Sequence, residues 1–298
     1  MRVNGRTRLA GVVGWPLSHT LSPAMHNAAY HRMGLDWVYL PLPVADEDAL
    51  AKLVDAVRVL PFVGLNVTMP YKRAMLEMCD EVAMLAQMAG AVNTVHVVDG
   101  RLIGYNTDAR GLLESLELDA GFSPEGRRVV LVGAGGAAAA ALVAFVLGKA
   151  GEVTVVNRTR ERAEELVERM RPHLRGVNVD AYGTDEAQSF VRSADLIVNA
   201  TPVGMAEGDP SPVPVEWLRP GQVVADMIYR PAITPLLEGA RHAGARAVGG
   251  LGMLVSQGAT AIDIWSDSTS QTRAPRDVMR SAAEEALGDW SRAEESDT

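Results

Sequence analysis

Four short stretches in the first 110 residues carry polar side chains at spacings that suit chemistry on a small oxygenated molecule. In Ser18-His19-Thr20-Leu21-Ser22-Pro23, Thr20 and Ser22 alternate, so an extended backbone turns both hydroxyls to one side. Ser22-Pro23 also reads as an N-cap followed by proline at the first helical position. Ser22 is therefore either a cap alone or part of a carboxylate site at a helix N-terminus. In Asn66-Val67-Thr68-Met69-Pro70-Tyr71-Lys72, Asn66 and Thr68 share a strand face, and Pro70 is expected to open a helix with Lys72 in its first turn. A cation there opposes the helix dipole, which points to a functional role rather than stability; a solvated surface lysine is the alternative. The other two stretches form one hairpin. Asp99-Gly100 is a two-residue turn signal that pairs Val98 with Arg101 and so Asn93 with Asn106. Asp108 then lies diagonally from Asn93 if the strand extends that far, about 7–8 Å away between backbones. Polar strand ends that only make turns are the alternative for Asn93.

A second kind of chemistry is written further on. After the apolar strand Arg127–Val132 (RRVVLV) comes Gly133-Ala134-Gly135-Gly136-Ala137-Ala138, a Gly-x-Gly-x-x-Ala dinucleotide fingerprint opening a helix of small residues. Its glycines permit the turn and close approach to a pyrophosphate, and the small last residue lets helix and strand pack closely. At the end of the next strand, where an NAD site carries Asp or Glu, the chain has Asn157-Arg158-Thr159-Arg160-Glu161-Arg162. Guanidinium forks and a hydroxyl suit a ribose 2′-phosphate, which favours NADP over NAD. The alternative is ordinary surface pairing of Arg158, Arg162 and Arg169 with Glu161, Glu164 and Glu165.

The elements that must position these residues follow from hydrophobic pattern. Helices are expected over 23–33, 47–57 and 71–79 in a front domain of strands, helices and a hairpin. From Arg127 onward, strands over 128–132, 152–157, 195–200 and 222–227 alternate with helices over 137–147 and 160–171. Near-continuous apolar strands alternating with helices indicate a parallel sheet covered on both faces. A short strand over 245–248 and a helix over 253–265 follow, and the closing SRAEESDT reads as a frayed polar tail. The expected fold is α/β with domains at 1–108 and 109–250, and a C-terminal segment, 251–298, without a sheet partner of its own.

Composition narrows the partners. The 298 residues carry 28 Lys+Arg against 37 Asp+Glu, a net charge of −9, which argues against nucleic acid or an anionic membrane. The single cysteine, Cys79, fits a reducing compartment. The longest apolar run, 137–148, is short of the ~20 residues of a spanning helix, and the N-terminus lacks a cleavage site, so a cytoplasmic location is expected. The six histidines show no metal-ligand spacing, so no metal is expected, and Met75, Met78, Met84 and Met88 read as core filling. A monomer or homodimer is expected.

Together the stretches HTLSPAMHN, NVTMPYK, GAVNT, YNTDARG, GAGGAAAA, NRTRERAEEL, NATPVGM, DMIYRPAITPLL and GLGMLVSQGATAIDIW resemble, in order and over nearly the whole chain, the shikimate dehydrogenase family. The resemblance implies a substrate domain and a Rossmann-like NADP domain, with the C-terminal helices returning to the former. It also implies NADPH-dependent reduction of 3-dehydroshikimate to shikimate, in aromatic amino-acid biosynthesis. By the family pattern Thr20 and Ser22 hold the substrate carboxylate, and Asn66, Thr68, Asn93 and Gln257 bond ring substituents or order the site. Lys72 and Asp108 match the catalytic pair, Lys72 passing a proton at the reacting oxygen. Gly133, Ala134, Gly135, Gly136 and Ala137 match the pyrophosphate turn, and Asn157, Arg158, Thr159 and Arg162 the adenosine ribose and its phosphate. Thr201 and Met205 match the block on the nicotinamide side, Tyr229 that near the substrate, and Gly250 and Met253 that under the nicotinamide. Two positions depart from the pattern: Thr20 replaces a usual serine and Ala109 a usual glycine. Thr20 leaves quinate and aminoshikimate open as ring substrates, and a non-catalytic NADP-sensing regulator is the alternative from another class.

Overall fold

The computed structural model describes residues 3–174, 176–266 and 273–296. The chain divides into two units, one of Met1–Thr107 with Val255–Thr298 and one of Asp108–Leu254.

The first unit is built on a mixed six-stranded sheet: β1 (Arg8–Gly14), β2 (Trp37–Pro43), β3 (Phe62–Val67), β4 (Glu81–Val82), β5 (Thr94–Val98) and β6 (Arg101–Tyr105), in the order β2-β1-β3-β5-β6-β4. All six residues of β3 are buried, as a central strand requires. The β5–β6 hairpin has the register expected from its turn, Val98 opposite Arg101 and Thr94 opposite Tyr105. Asp99 and Gly100 take φ of 51° and 77°, the left-handed pair that a type I′ turn needs. Helices α1 (Ser22–Met33), α2 (Glu47–Val59), α3 (Ala74–Met78) and α4 (Met84–Ala89) complete the N-terminal part. Gly34, at φ 68°, ends α1 and donates to His31 and Tyr30 carbonyls, while Asp46 caps α2 through Ala49.

Asp108 does not lie on a strand. β6 ends at Tyr105, and Asp108 begins helix α5 (Asp108–Ala120), where a carboxylate complements the helix dipole. The helix expected over 71–79 is cut back to α3. Tyr71 is drawn into the core, its phenol donating to the Val44 carbonyl at 2.7 Å, so 70–73 form a turn instead of a helical turn. Lys72 therefore precedes the helix, and the dipole argument for it does not hold.

The second unit continues with β7 (Arg128–Val132), α6 (Gly136–Leu147), β8 (Glu152–Asn157), α7 (Arg160–Met170), β9 (Asn178–Gly183), α8 (Gln188–Ser193), β10 (Leu196–Asn199), β11 (Val223–Asp226), α9 (Pro235–His242) and β12 (Arg246–Val248). The strands form a six-stranded sheet ordered β12-β11-β10-β7-β8-β9, with every neighbouring pair parallel. Its winding reverses between β7 and β10, the switch point at which such sheets bind ligands. β9 escapes the pattern argument because NVDAYG is a half-exposed edge strand, not an apolar run.

The chain then returns to the first unit through α10 (Leu251–Ser266) and α11 (Arg276–Ser296). The Trp265 indole donates to the Val95 carbonyl at 2.9 Å and fills the space over Gly64, where an added Cβ would fall inside the ring. α11 lies along α1. It extends through Ser296, so SRAEES continues a helix rich in Ala, Glu and Arg, and only Asp297 and Thr298 of the expected tail lie outside the described residues.

Candidate active site

In the first unit Asn66, Asn93 and Gln257 gather on a continuous hydrogen-bonded chain of side chains. Ser22 is the first residue of α1 rather than its cap; the cap position is Leu21. Residues 17–20 form a turn, Thr20 N–H donating to the Leu17 carbonyl, so the extended alternation is not seen. Thr20 Oγ1 accepts instead from the Ser22 backbone at 3.3 Å. Tyr39 donates to Asn66 Oδ1 at 2.7 Å, which turns Asn66 Nδ2 toward Thr94 Oγ1 at 3.1 Å. Thr94 donates to Asn93 Oδ1 at 3.0 Å, and that oxygen also accepts the Thr107 backbone N–H at 2.8 Å. Asn93 Nδ2 in turn donates to Thr107 Oγ1 at 3.0 Å and to Gln257 Oε1 at 3.4 Å.

Burial pushes the Tyr39 phenol well above its ordinary range, so it is a neutral donor. Below it His26 stacks on Tyr39 at 4.0 Å, and burial lowers its pKa to about 3. Thr68 follows β3, its N–H on the Val13 carbonyl, and the half-buried Lys72 accepts the Val92 N–H at its carbonyl, 2.8 Å away. Tyr39 and Thr94 escaped the sequence argument. The signal for Thr94 was there: Asn93-Thr94 and Asn106-Thr107 are the same dipeptide on facing arms of one hairpin.

In the second unit Gly133 takes φ 116°, and a Cβ on it would come within 2.9 Å of Thr201 Cγ2. Gly135 caps α6 and Gly136 opens it; both are exposed, with no atom within 4 Å of an added Cβ. The turn leading into α6, from half-buried Ala134 to exposed Ala137, thus offers bare N–H groups at the positive end of a 12-residue helix, and fully buried Ala138 seats the helix closely on the sheet. That cradle fits a pyrophosphate.

At the end of β8, Asn157 Nδ2 donates to the Thr159 carbonyl at 2.8 Å and shapes the loop. Arg160 is occupied by Glu164 at 2.9 Å and Glu186 at 3.0 Å, and lies 5.9 Å from the Tyr182 ring centre. Arg158 and Arg162 are exposed and, among the described residues, make no ion pair, so the surface pairing considered for them is not formed. Two uncommitted guanidinium groups beside a hydroxyl at Thr159 suit a 2′-phosphate.

On the far side of the sheet's switch point Thr201 is held by Asn199, Met205 is 53% exposed, and Tyr229 is half-buried with its phenol pushed up by burial. Gly250 packs on the Met227 carbonyl too closely for a side chain, and half-buried Met253 follows on α10. Burial raises the Asp226 carboxyl, opposed by hydrogen bonds from Thr234, Ile228 and Asn199.

A doubly wound parallel sheet with this glycine turn and basic strand end defines a dinucleotide-binding α/β protein. Residues 12–95 match the model of the shikimate dehydrogenase substrate binding domain, and residues 118–204 that of shikimate / quinate 5-dehydrogenase. The chain belongs to the shikimate dehydrogenase family. It is 46% identical over 268 residues to the shikimate dehydrogenase (NADP(+)) of Citrifermentans bemidjiense, 89% of this chain and 92% of the relative. Shikimate 5-dehydrogenase of Thermus thermophilus, solved in complex with NADP(H) and shikimate, is 38% identical with a TM-score of 0.82, over 94% of this chain and 99% of that one. The quinate dehydrogenase of Corynebacterium glutamicum, solved with NAD, is 31% identical with a TM-score of 0.84, over 93% and 98%.

Proposed function

We propose that the chain catalyses the reversible NADPH-dependent reduction of 3-dehydroshikimate to shikimate. The observation that carries the cofactor half is the uncommitted pair Arg158, just past β8 where an NAD site places an acid, and Arg162 in the first turn of α7. Gly133, Ala134, Gly135, Gly136 and Ala137 hold the pyrophosphate, and Asn157, Arg158, Thr159 and Arg162 the adenosine ribose and its 2′-phosphate. Thr201, Met205, Gly250 and Met253 line the nicotinamide end. When bound, the dinucleotide supplies or accepts the hydride.

Thr20 and Ser22 hold the substrate carboxylate. Thr68, Asn93, Gln257 and Tyr229 contact or order the ring substituents. Asn66, whose amide is already committed to Tyr39 and Thr94, acts chiefly by fixing that chain. Lys72 donates a proton to the reacting carbonyl oxygen as it becomes a hydroxyl, and takes it back in oxidation; Asp108 is the carboxylate that orients the substrate hydroxyl for that exchange. A cytoplasmic enzyme with small-molecule partners, monomeric or dimeric, is the setting this reading implies.

Quinate is the second reading, favoured by Thr20 in the carboxylate stretch. Initial rates with shikimate and quinate, each with NADP+ and NAD+, decide between them. Turnover chiefly with shikimate and NADP+ supports the proposal. Turnover chiefly with quinate or NAD+ overturns it, and NADP+ binding without turnover on any ring substrate points to the sensor.

A further inference from the structure

The second unit buries a carboxylate that the reading above does not use. Asp226 ends β11, in register with Asn199 at the end of β10; the two are 2% and 0% exposed. Asp226 Oδ1 accepts Asn199 Nδ2 at 3.0 Å and the Ile228 N–H at 3.1 Å, and Oδ2 accepts the Thr234 hydroxyl at 2.7 Å. Because Asn199 must present its NH2 to the carboxylate, its Oδ1 is turned the other way. There it accepts both the N–H and the hydroxyl of Thr201, at 3.0 and 2.7 Å, while Nδ2 also reaches the Val203 carbonyl at 3.2 Å. One buried charge thus sets an amide orientation in one loop and grips a second loop at two points.

Stability does not call for this acid. Removing a carboxylate from water is costly, and an apolar side chain of similar size packs a strand end without that cost. The loops it joins are 200–205, with Thr201 and Met205, and 228–234, with Tyr229. Both carry residues assigned to the nicotinamide and substrate end, whereas the adenosine end is assigned to the end of β8.

We propose that Asp226 is a positioning residue for hydride transfer: acting through Asn199 on the Thr201 loop, and through Thr234 and the Ile228 amide on the Tyr229 segment, it fixes the nicotinamide end of the site without touching the reactants. The inference rests on the proposed function. It predicts a split between the two ends of the cofactor.

The test compares wild type with Asp226→Asn, Thr234→Val and Thr234→Ser. It reads shikimate oxidation by NADP+, and inhibition by 2′,5′-ADP, which carries the adenosine end alone. Loss of charge-assisted hydrogen bonds should lower kcat about 10–100-fold in Asp226→Asn and about 10-fold in Thr234→Val. Thr234→Ser, which keeps the hydroxyl, should recover to within about threefold of wild type, and 2′,5′-ADP should inhibit all four proteins equally within about twofold. Unchanged kcat in both Asp226→Asn and Thr234→Val overturns the inference. So does a loss of 2′,5′-ADP binding that parallels the loss of kcat, because the carboxylate would then only hold the unit together. If Asp226→Asn does not fold, the Thr234 pair decides by the same criteria. A wild-type protein that binds 2′,5′-ADP but does not oxidise shikimate overturns the functional reading itself, and the inference with it.

Discussion

At the scale of single residues, function rests on a few side chains that can be removed one at a time. Lys72→Ala should lower kcat by about 10²–10⁴-fold, the usual contribution of general acid–base catalysis, with a smaller change in substrate KM. Near-normal kcat in steady-state assays would take Lys72 out of the chemistry. Arg158→Ala should weaken NADP+ about 10–100-fold, the worth of hydrogen bonds to a charged group, and leave NAD+ nearly unaffected. Titrations showing equal loss for both cofactors would contradict the 2′-phosphate assignment. Arg158 stood out because nothing about a strand end asks for arginine. Tyr39 did not, because an inward tyrosine in WVYLPLP looks like any other core residue; only tertiary structure brings its phenol to Asn66 Oδ1.

Among elements, legibility tracked how local the determining physics is. β7 and β8 begin and end where their apolar runs do, and the hairpin register follows from the two residues of its turn. Both are decided within a few residues of chain. The helix around Lys72 was misplaced because Tyr71 answers to the core and to the Val44 carbonyl, a partner 27 residues away. Asp108 was placed on a strand for a similar reason. Thr107 spends its backbone N–H on Asn93 Oδ1, a side chain, where a strand would have spent it on the ladder, and the chain is released into α5. The attachment of α10 gives a test at this scale. Gly64→Ala puts a methyl where the Trp265 indole lies and forces that ring off the Val95 carbonyl. The unfolding free energy should fall by about 2–4 kcal/mol, as for other core overpacking that also strands a buried acceptor. A denaturant midpoint equal to that of wild type would mean the helix does not depend on this seat.

For the molecule as a whole, His26 sets an acid limit. Its folded-state pKa of about 3 lies below the ordinary value of 6.5, because burial against Tyr39 and Tyr30 keeps the ring neutral. The unfolded chain therefore takes up a proton that the folded chain refuses. Stability is full above about pH 6.5 and falls as pH drops toward the folded value, by about 1.4 kcal/mol per pH unit. His26→Leu should flatten that slope in urea titrations between pH 4 and 7; an unchanged slope would assign the acid sensitivity to other groups. The division of the chain predicts a second outcome. A protein ending at residue 254 lacks Trp265, Met279 and Ala283, all buried in the first unit. It should lose cooperative unfolding of that unit while still binding 2′,5′-ADP through the second. Retention of both transitions in a thermal scan would make α10 and α11 dispensable.

The same division bears on how the protein is made. The first unit is made of two separate stretches, and the second is spliced between them as one uninterrupted stretch. During translation Met1–Thr107 emerges before Asp108–Leu254, yet it must wait for α10 and α11, which follow that stretch, before Trp265 can cover the sheet at Gly64. Asp108–Leu254 needs nothing beyond itself, and domains generally fold as units during synthesis. The part synthesised second is thus expected to fold first. Until α10 and α11 arrive, the nascent chain carries an uncovered apolar sheet, and that interval is when chaperones have most to hold.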